Sequence, residues 1–282
     1  MFAVAGVSGH TGKVVADTLL AQSLPVRVIV RDAKKGEAWK ARGAEVAVAD
    51  VKDVKALTAA LKGATGAYLL NPPDMSVTDV EKWGKEMGAI FRSAVQDSGV
   101  GHVVLLSSIA AHLPTGTGPI VSLHHIEKAL TGLKAHVTFL RAGYFMENLL
   151  ANLHPMQEQG VLPAMFSKPN EMIATADIGA VAAELLRTGA AAPRIVELSG
   201  PAPRTLADAG KIFGEKLKKN LTLAPVPLEA QFDVLKGVGL PPTWARAYAD
   251  MNAAIEHGTL VFEGSPRRGL VSLERFVGLA LK

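Results

Sequence analysis

Seven residues near the N-terminus, Gly6-Val7-Ser8-Gly9-His10-Thr11-Gly12, have the spacing of an anion cradle. They stand between a short apolar run and an amphipathic stretch, where a strand turns into a helix. In such a turn the first glycine permits the reversal. The second lets phosphates approach the backbone, and the third lets helix and strand pack closely. The unpaired N–H groups and positive dipole end of the helix then face the bound diphosphate. The spacing therefore predicts a dinucleotide pyrophosphate held by Gly6, Ser8, Gly9, His10, Thr11 and Gly12.

Further along, Val26–Arg31 reads as the second strand, and its last residue is basic. A dinucleotide without a 2′-phosphate is usually held there by an acid, whereas an arginine binds the phosphate bidentately and stacks on adenine. Arg31 thus favours NADP(H) over NAD(H); Asp32, next to it, would reverse the preference if it pointed inward. Asp50 and Val51 close the third strand, within reach of an adenine. Asn71-Pro72 closes the fourth and Ser107-Ser108 the fifth. Ligands of open α/β sheets lie outside the carboxyl ends of the strands, so these residues share one rim.

The elements that must position them follow from periodicity. Strands are expected at Phe2–Ala5, Val26–Arg31, Glu45–Asp50, Ala67–Leu70, His102–Ser107, Val137–Arg141 and Ile195–Ser199. In the first half they alternate with helices at Gly12–Gln22, Lys34–Arg42, Asp53–Leu61, Val77–Gln96 and Ser122–Leu130. That alternation implies an α/β fold, a doubly wound parallel Rossmann sheet. Helices are also expected at Asn148–Gln159, Ala176–Arg187, Leu206–Leu217, Leu228–Lys236, Thr243–His257 and Leu273–Leu281, with Met165–Glu171 a loop. Residues 1–150 would form the NAD(P)-binding core. Residues 151–282 would form a smaller, mostly helical C-terminal lobe that completes the sheet edge and the substrate pocket in one compact unit.

Composition bounds the rest. Of 282 residues, 49% are hydrophobic and 20% charged, enough for a sizeable core. There is no cysteine, which excludes disulfides, thiolate metal sites and a cysteine nucleophile. The net charge of +4 is spread along the chain, with its densest cluster at Lys216, Lys218 and Lys219. No basic face or motif points to nucleic acid. No apolar run approaches a membrane span and no signal peptide is visible, so a cytoplasmic protein is expected. A homodimer is allowed but not required.

The sequence resembles the NmrA-like branch of the atypical short-chain dehydrogenases. The likeness rests on Gly6-x-x-Gly9-x-Thr11-Gly12, Val30-Arg31-Asp32 with Lys35, Ser107-Ser108 and His124-His125-Ile126-Glu127. It continues through Leu140-Arg141-Ala142-Gly143-Tyr144-Phe145-Met146-Glu147-Asn148, Ala174-Thr175-Ala176-Asp177-Ile178-Gly179 and Glu197-Leu198-Ser199-Gly200-Pro201. The resemblance implies NADP(H) as cofactor, with Arg31 and Lys35 near the 2′-phosphate and Gly143 and Tyr144 near the nicotinamide. It implies either a quinone, dye or isoflavone-type reductase, or a regulator that senses NADP(H) without catalysis.

The usual proton donor, a tyrosine with a lysine one helical turn later, is missing: none of Tyr68, Tyr144 and Tyr248 has one. The lysine of isoflavone-type relatives is missing too, since 115–123 contains none. His124 is the substitute candidate. It would lie on a helix near the nicotinamide, three residues before Glu127 and four before Lys128, as a catalytic acid or a cofactor contact; its competing role is plain packing. Tyr144, Met146, Phe166, Trp244 and Tyr248 are expected to wall a flat apolar slot for a small-molecule acceptor, with no metal. Two functions stay open. One is NADPH-dependent hydride transfer to a small quinone, dye or unsaturated carbonyl. The other is a redox sensor, which alone would require a protein partner. A sugar-nucleotide epimerase is disfavoured by the missing Tyr/Lys pair.

Overall fold

The computed structural model describes all 282 residues. Its strands are β1 (Phe2–Val4), β2 (Val26–Val30), β3 (Glu45–Val48), β4 (Gly66–Leu70), β5 (His102–Ser108), β6 (His136–Ala142), β7 (Tyr144–Phe145), β8 (Val161–Ala164), β9 (Met172–Ile173), β10 (Ile195–Ser199), β11 (Thr222–Pro225) and β12 (Arg267–Arg268). Its α-helices are α1 (His10–Ala21), α2 (Lys34–Lys40), α3 (Val54–Leu61), α4 (Val80–Ser98), α5 (Val121–Leu130), α6 (Leu153–Glu158), α7 (Thr175–Thr188), α8 (Leu206–Leu217), α9 (Leu228–Gly237), α10 (Pro242–Glu256) and α11 (Leu273–Ala280).

Eight strands form one parallel sheet in the order β12-β10-β6-β5-β4-β1-β2-β3. After β3 the chain returns to the other side of β1, so the strand order reverses between β1 and β4. That is the switch point at which doubly wound sheets open a crevice. Both faces of the sheet are covered, and the strands show why. Val103 and Leu105 of β5 enter a core with Leu57 of α3, Phe91 of α4 and Ile126 of α5. Val104 and Leu106 enter the opposite core with Val15 and Leu19 of α1 and Ile178 of α7. Alternate side chains of a strand point to opposite faces, so an unbroken apolar run needs a helical layer on each. A third core lies under residues 146–281 and includes Met146, Phe166, Phe213 and Phe276.

Local signals set the helix ends. Asp53 caps α3 by accepting from the backbone N–H groups of Lys55 (2.9 Å) and Ala56 (3.1 Å). Asp79 caps α4 through Lys82 N–H at 2.9 Å. Thr205 and Asp208 close a reciprocal capping box on α8. The helix expected at Asn148–Gln159 is split into a 3₁₀ segment, Met146–Asn152, and the short α6. Pro155 lies in the first turn of α6, where its missing N–H is tolerated; one turn deeper in a longer helix it would not be. Five short strands carry no period and were not expected: β7, β8, β9, β11 and β12. Trp39 of α2 and Trp83 of α4 turn inward and are buried.

One buried histidine sets an acid limit on this sheet. His102 of β5 is paired in register with His136 of β6, and their rings lie 5.4 Å apart. Burial, and then the charge of His136, hold the His102 pKa down to about 4, against an opposing hydrogen bond that the ring donates to the Leu186 backbone. The unfolded chain takes up this proton near pH 6.5 and the folded chain only near 4, so stability is expected to fall as pH drops between those values. Melting temperatures measured from pH 7 to 4.5 should slope less for His102→Gln than for the parent. Coincident slopes would assign the acid limit to other groups.

Candidate functional site

A cleft of about 790 Å³ opens at the carboxyl ends of β1–β5. It starts at the glycine turn. Gly6 has a φ of +70°, and Gly9 N–H closes the turn on the Gly6 carbonyl at 2.9 Å. No side chain caps the N-terminus of α1, and no acid stands in its first turn. Its first N–H groups are therefore free for an anion, with the dipole favouring one. Ser8, Gly9, His10 and Thr11 line the cleft with Gly6. Gly12 stands behind them against the backbone of Ala5 and Gly6. The Tyr68 hydroxyl donates to Thr11 Oγ1 at 2.9 Å from below, and burial pushes the Tyr68 pKa up, so it stays a donor.

At one end of the cleft, Arg31 follows β2 as an exposed lining residue. None of the chain's ion pairs involves it. Asp32 is turned away: its Oδ1 accepts from Lys34 N–H at 2.9 Å, at the start of α2, and it does not line the cleft. Lys35 is exposed on α2 and off the lining. Asp50 and Val51 line the same end, with Asp50 Oδ1 accepting from Lys52 N–H at 2.9 Å.

The segment Asn71–Met75 after β4 crosses the cleft as a strap. Lys52 Nζ meets Asp74 Oδ2 at 3.1 Å across the opening. Hydrogen bonds from Ser76, followed by the one from Lys52, hold the Asp74 pKa down to about 2. Helix α10 fastens the strap from outside. Trp244 Nε1 donates to the Asp74 carbonyl at 3.0 Å, and Thr243 Oγ1 to the Thr78 carbonyl at 3.2 Å. Asn71 Nδ2 donates to Ser122 Oγ at 3.2 Å.

At the other end Ser107, Gly143, Tyr144 and Tyr248 line the wall with Ile109, Ile120, Leu123, Met251 and Leu260. Ser107 rests on a buried charge network. Its hydroxyl donates to Glu127 Oε1 at 2.5 Å. Arg141 grips the same carboxylate with Nε at 3.0 Å and Nη2 at 2.7 Å, and pairs through Nη1 with Glu263. Burial would lower the Arg141 pKa, but Glu127 and then Glu263 raise it, so the guanidinium stays charged. Burial, followed by the nearby Tyr248, pushes the Tyr144 phenol up to about 12, against a hydrogen bond with Asn148.

Several expected site residues lie elsewhere. His124 is half-buried and off the cleft, with Nδ1 3.0 Å from the Ala111 carbonyl. Leu123 takes the wall position instead, because one residue turns a helical side chain by about 100°. Glu127, expected to share a face with His124, is engaged by Arg141. Met146 and Phe166 are core residues; Phe166 stands edge-on behind Tyr144, with ring centroids 5.8 Å apart. Trp244 backs Tyr248 at 6.1 Å rather than lining the slot. The sequence reading missed Met251, one helical turn past Tyr248 and so within reach of periodicity. It also missed Asn170, which sits in a loop with no pattern to mark it.

The model of the NmrA-like family matches residues 1–261. The chain belongs to the NmrA-like family. An NAD(P)H azoreductase of Xenophilus azovorans is 27% identical over 259 residues, covering 90% of this chain and 86% of the azoreductase. Quinone oxidoreductase 2 of Escherichia coli (strain K12) is 29% identical over 268 residues, covering 92% and 90%. The crystal structure of the NADPH-dependent quinone oxidoreductase of E. coli complexed with NADPH superposes with a TM-score of 0.84 at 25% identity, over the whole of both chains. The triphenylmethane reductase of Citrobacter sp., complexed with NADP(H), shares the fold with a TM-score of 0.84 at 22% identity, over 99% of both. No helix is long and apolar enough to cross a membrane.

Proposed function

We propose that this NmrA-like protein is an NADPH-dependent oxidoreductase that reduces a small quinone, dye or unsaturated carbonyl. One observation carries the reading. A single cleft runs from an uncapped helix N-terminus and an unpaired arginine to an apolar, phenol-edged slot at Gly143 and Tyr144. The residues present fit a phosphorylated dinucleotide. The glycine turn and the first N–H groups of α1 would hold its diphosphate, and Arg31 its 2′-phosphate. Asp32, bonded to the backbone of α2, leaves that phosphate unopposed. Relatives named for azo dyes and quinones support the acceptor class.

When bound, NADPH supplies a hydride from the nicotinamide. The acceptor gains that hydride and one proton, and NADPH becomes NADP+. Positioning is the main task of the chain, since an easily reduced acceptor needs chiefly proximity. Tyr144 and Tyr248 keep their protons, because burial raises both phenols. They serve as hydrogen-bond donors to the acceptor's developing charge, and solvent supplies the proton that completes reduction.

The test is oxidation of NADPH by purified protein with a panel of quinones and azo dyes. A rate equal to the blank throughout, with NADPH bound, would favour the sensor reading instead. Arg31→Glu is expected to raise the Kd for NADPH about 10- to 100-fold, the worth of about 1.5–3 kcal/mol for a charge-assisted contact, and to change NADH little. Equal losses for the two dinucleotides would show that Arg31 does not meet the 2′-phosphate.

A further inference from the structure

The acceptor end of the cleft is walled by Ile109, Ile120, Leu123, Met251 and Leu260, and the amide of Asn170 lines the same cleft. Asn170 lines the cleft, yet is only 5% exposed. Its side-chain nitrogen is buried and has no hydrogen-bond partner. Buried donors are almost always satisfied, so an unmet one at a ligand cleft needs a reason.

The backbone of Asn170 is fixed. Its N–H donates to the Arg204 carbonyl and its carbonyl accepts from Arg204 N–H, both at 2.9 Å. The next carbonyl, of Glu171, accepts from Tyr144 N–H at 2.7 Å. Asn170 is thereby held beside the Gly143–Tyr144 turn, while the terminal torsion of its side chain is soft and can swing the amide. Asn148, a second amide of the cleft, hydrogen-bonds the Tyr144 hydroxyl, and Asn71, a third, differs as well. Its nitrogen is already committed to Ser122, and its unmet atom is Oδ1, an acceptor.

We propose that Asn170 is a specificity residue that donates from Nδ2 to a carbonyl oxygen of the acceptor, so that the slot selects quinones over carbonyl-free dyes. The proposal rests on the oxidoreductase reading above. In the reaction the quinone takes a hydride from NADPH and a proton from solvent, giving hydroquinone and NADP+. Negative charge grows on the carbonyl oxygen as the hydride arrives, so a donor there gains strength along the reaction. An azo dye without a carbonyl offers Asn170 no such oxygen. A pocket polar group left unpaired by the wrong ligand discriminates against it.

The test uses Asn170→Leu and Asn170→Ala, both of which remove the N–H donors without adding a charge. Menadione is the quinone probe and methyl yellow, an azo dye with no oxygen atom, the carbonyl-free one. Binding to the NADP+-saturated protein is read by fluorescence quenching, and kcat/KM is read with NADPH. In both variants the Kd for menadione should rise about tenfold, with kcat/KM falling by about the same factor or more, while methyl yellow and NADPH shift by less than about twofold. An unchanged menadione Kd, or equal losses for both acceptors, would overturn the proposal. Loss of NADPH affinity instead would assign the nitrogen to the cofactor's carboxamide and overturn it as well. Parent protein that binds menadione without reducing it would sink the oxidoreductase reading while leaving Asn170 as its carbonyl contact. Parent that reduces methyl yellow but does not bind menadione would do the reverse.

Discussion

Exchange of Gly12 for valine should abolish measurable NADPH binding and lower the melting temperature by many degrees. A Cβ at this position would lie 2.5 Å from both the carbonyl carbon and oxygen of Gly6, and would also strike the Ala5 carbonyl. All three are backbone atoms at the end of β1 and in the turn itself, so no side chain can swing aside. Either α1 lifts from the sheet or the turn is pushed out of shape, and both misplace the N–H groups that would face a diphosphate. Overpacking costs about 1–3 kcal/mol even where side chains can adjust, and here only backbone can. Gly278→Ala in α11 is the control, because its Cβ would meet nothing within 4 Å. It should be neutral or slightly stabilising, since alanine is the better helix former. A Gly12→Val protein with parental Kd and melting temperature would show that the close approach of α1 to β1 is not what shapes the cradle.

Arg141→Met is the second large effect. The side chain of Arg141 is 5% exposed and that of Glu127 8%, so methionine would leave a buried carboxylate with only the Ser107 hydroxyl beside it. Breaking a buried pair from one side costs about 3–5 kcal/mol. Glu263 is half exposed and can turn to water, so it adds little to the loss. The double variant Glu127→Leu/Arg141→Met removes both charges and should recover much of the stability, because like-sized apolar replacement of a buried pair is often neutral. Denaturant unfolding of the parent, both single variants and the double variant closes the cycle. A single variant that loses under about 1 kcal/mol, or a double no better than either single, would mean the network is already solvated. Ser107 gives the network a second readout, because it lines the cleft and should lose its fixed rotamer in Glu127→Leu.

The sheet was legible because its strands are apolar on both faces. Ile195–Ser199 and Leu206–Leu217 are found at the predicted limits, and most other boundaries move by one to three residues. The strands that escaped prediction lack that signal. β12 is two exposed arginines, paired through the backbone with β10 and through their side chains with Glu184 and Glu171. β8 and β11 contain Pro163 and Pro225, which argue against a strand in isolation, yet they pair with each other. The glycine turn, Arg31, Asp50 and Asn71 could be found because strand ends of a parallel sheet converge on one rim. The apolar wall at the far end of the cleft could not, because it is assembled by tertiary packing. His124 and Leu123 differ by one helical step, and only the docking of α5 decides which of them meets the cleft. Asn170 owes its place to a single bridge with Arg204.

The late strand β10 lies beside β6, and its neighbourhood supplies the Arg194 and Leu198 carbonyls that satisfy the Phe139 and Gly143 N–H groups. A chain ending near residue 150 would thus carry the residues of the dinucleotide cradle but strip α7 from α1 and leave β6 as a raw flank of unsatisfied donors and acceptors. Such flanks recruit foreign strands and seed aggregates. The cradle is therefore not a portable cassette. To move it into another protein, or to split the chain for a complementation reporter, the engineer must bring β10 along or blunt the flank with charge.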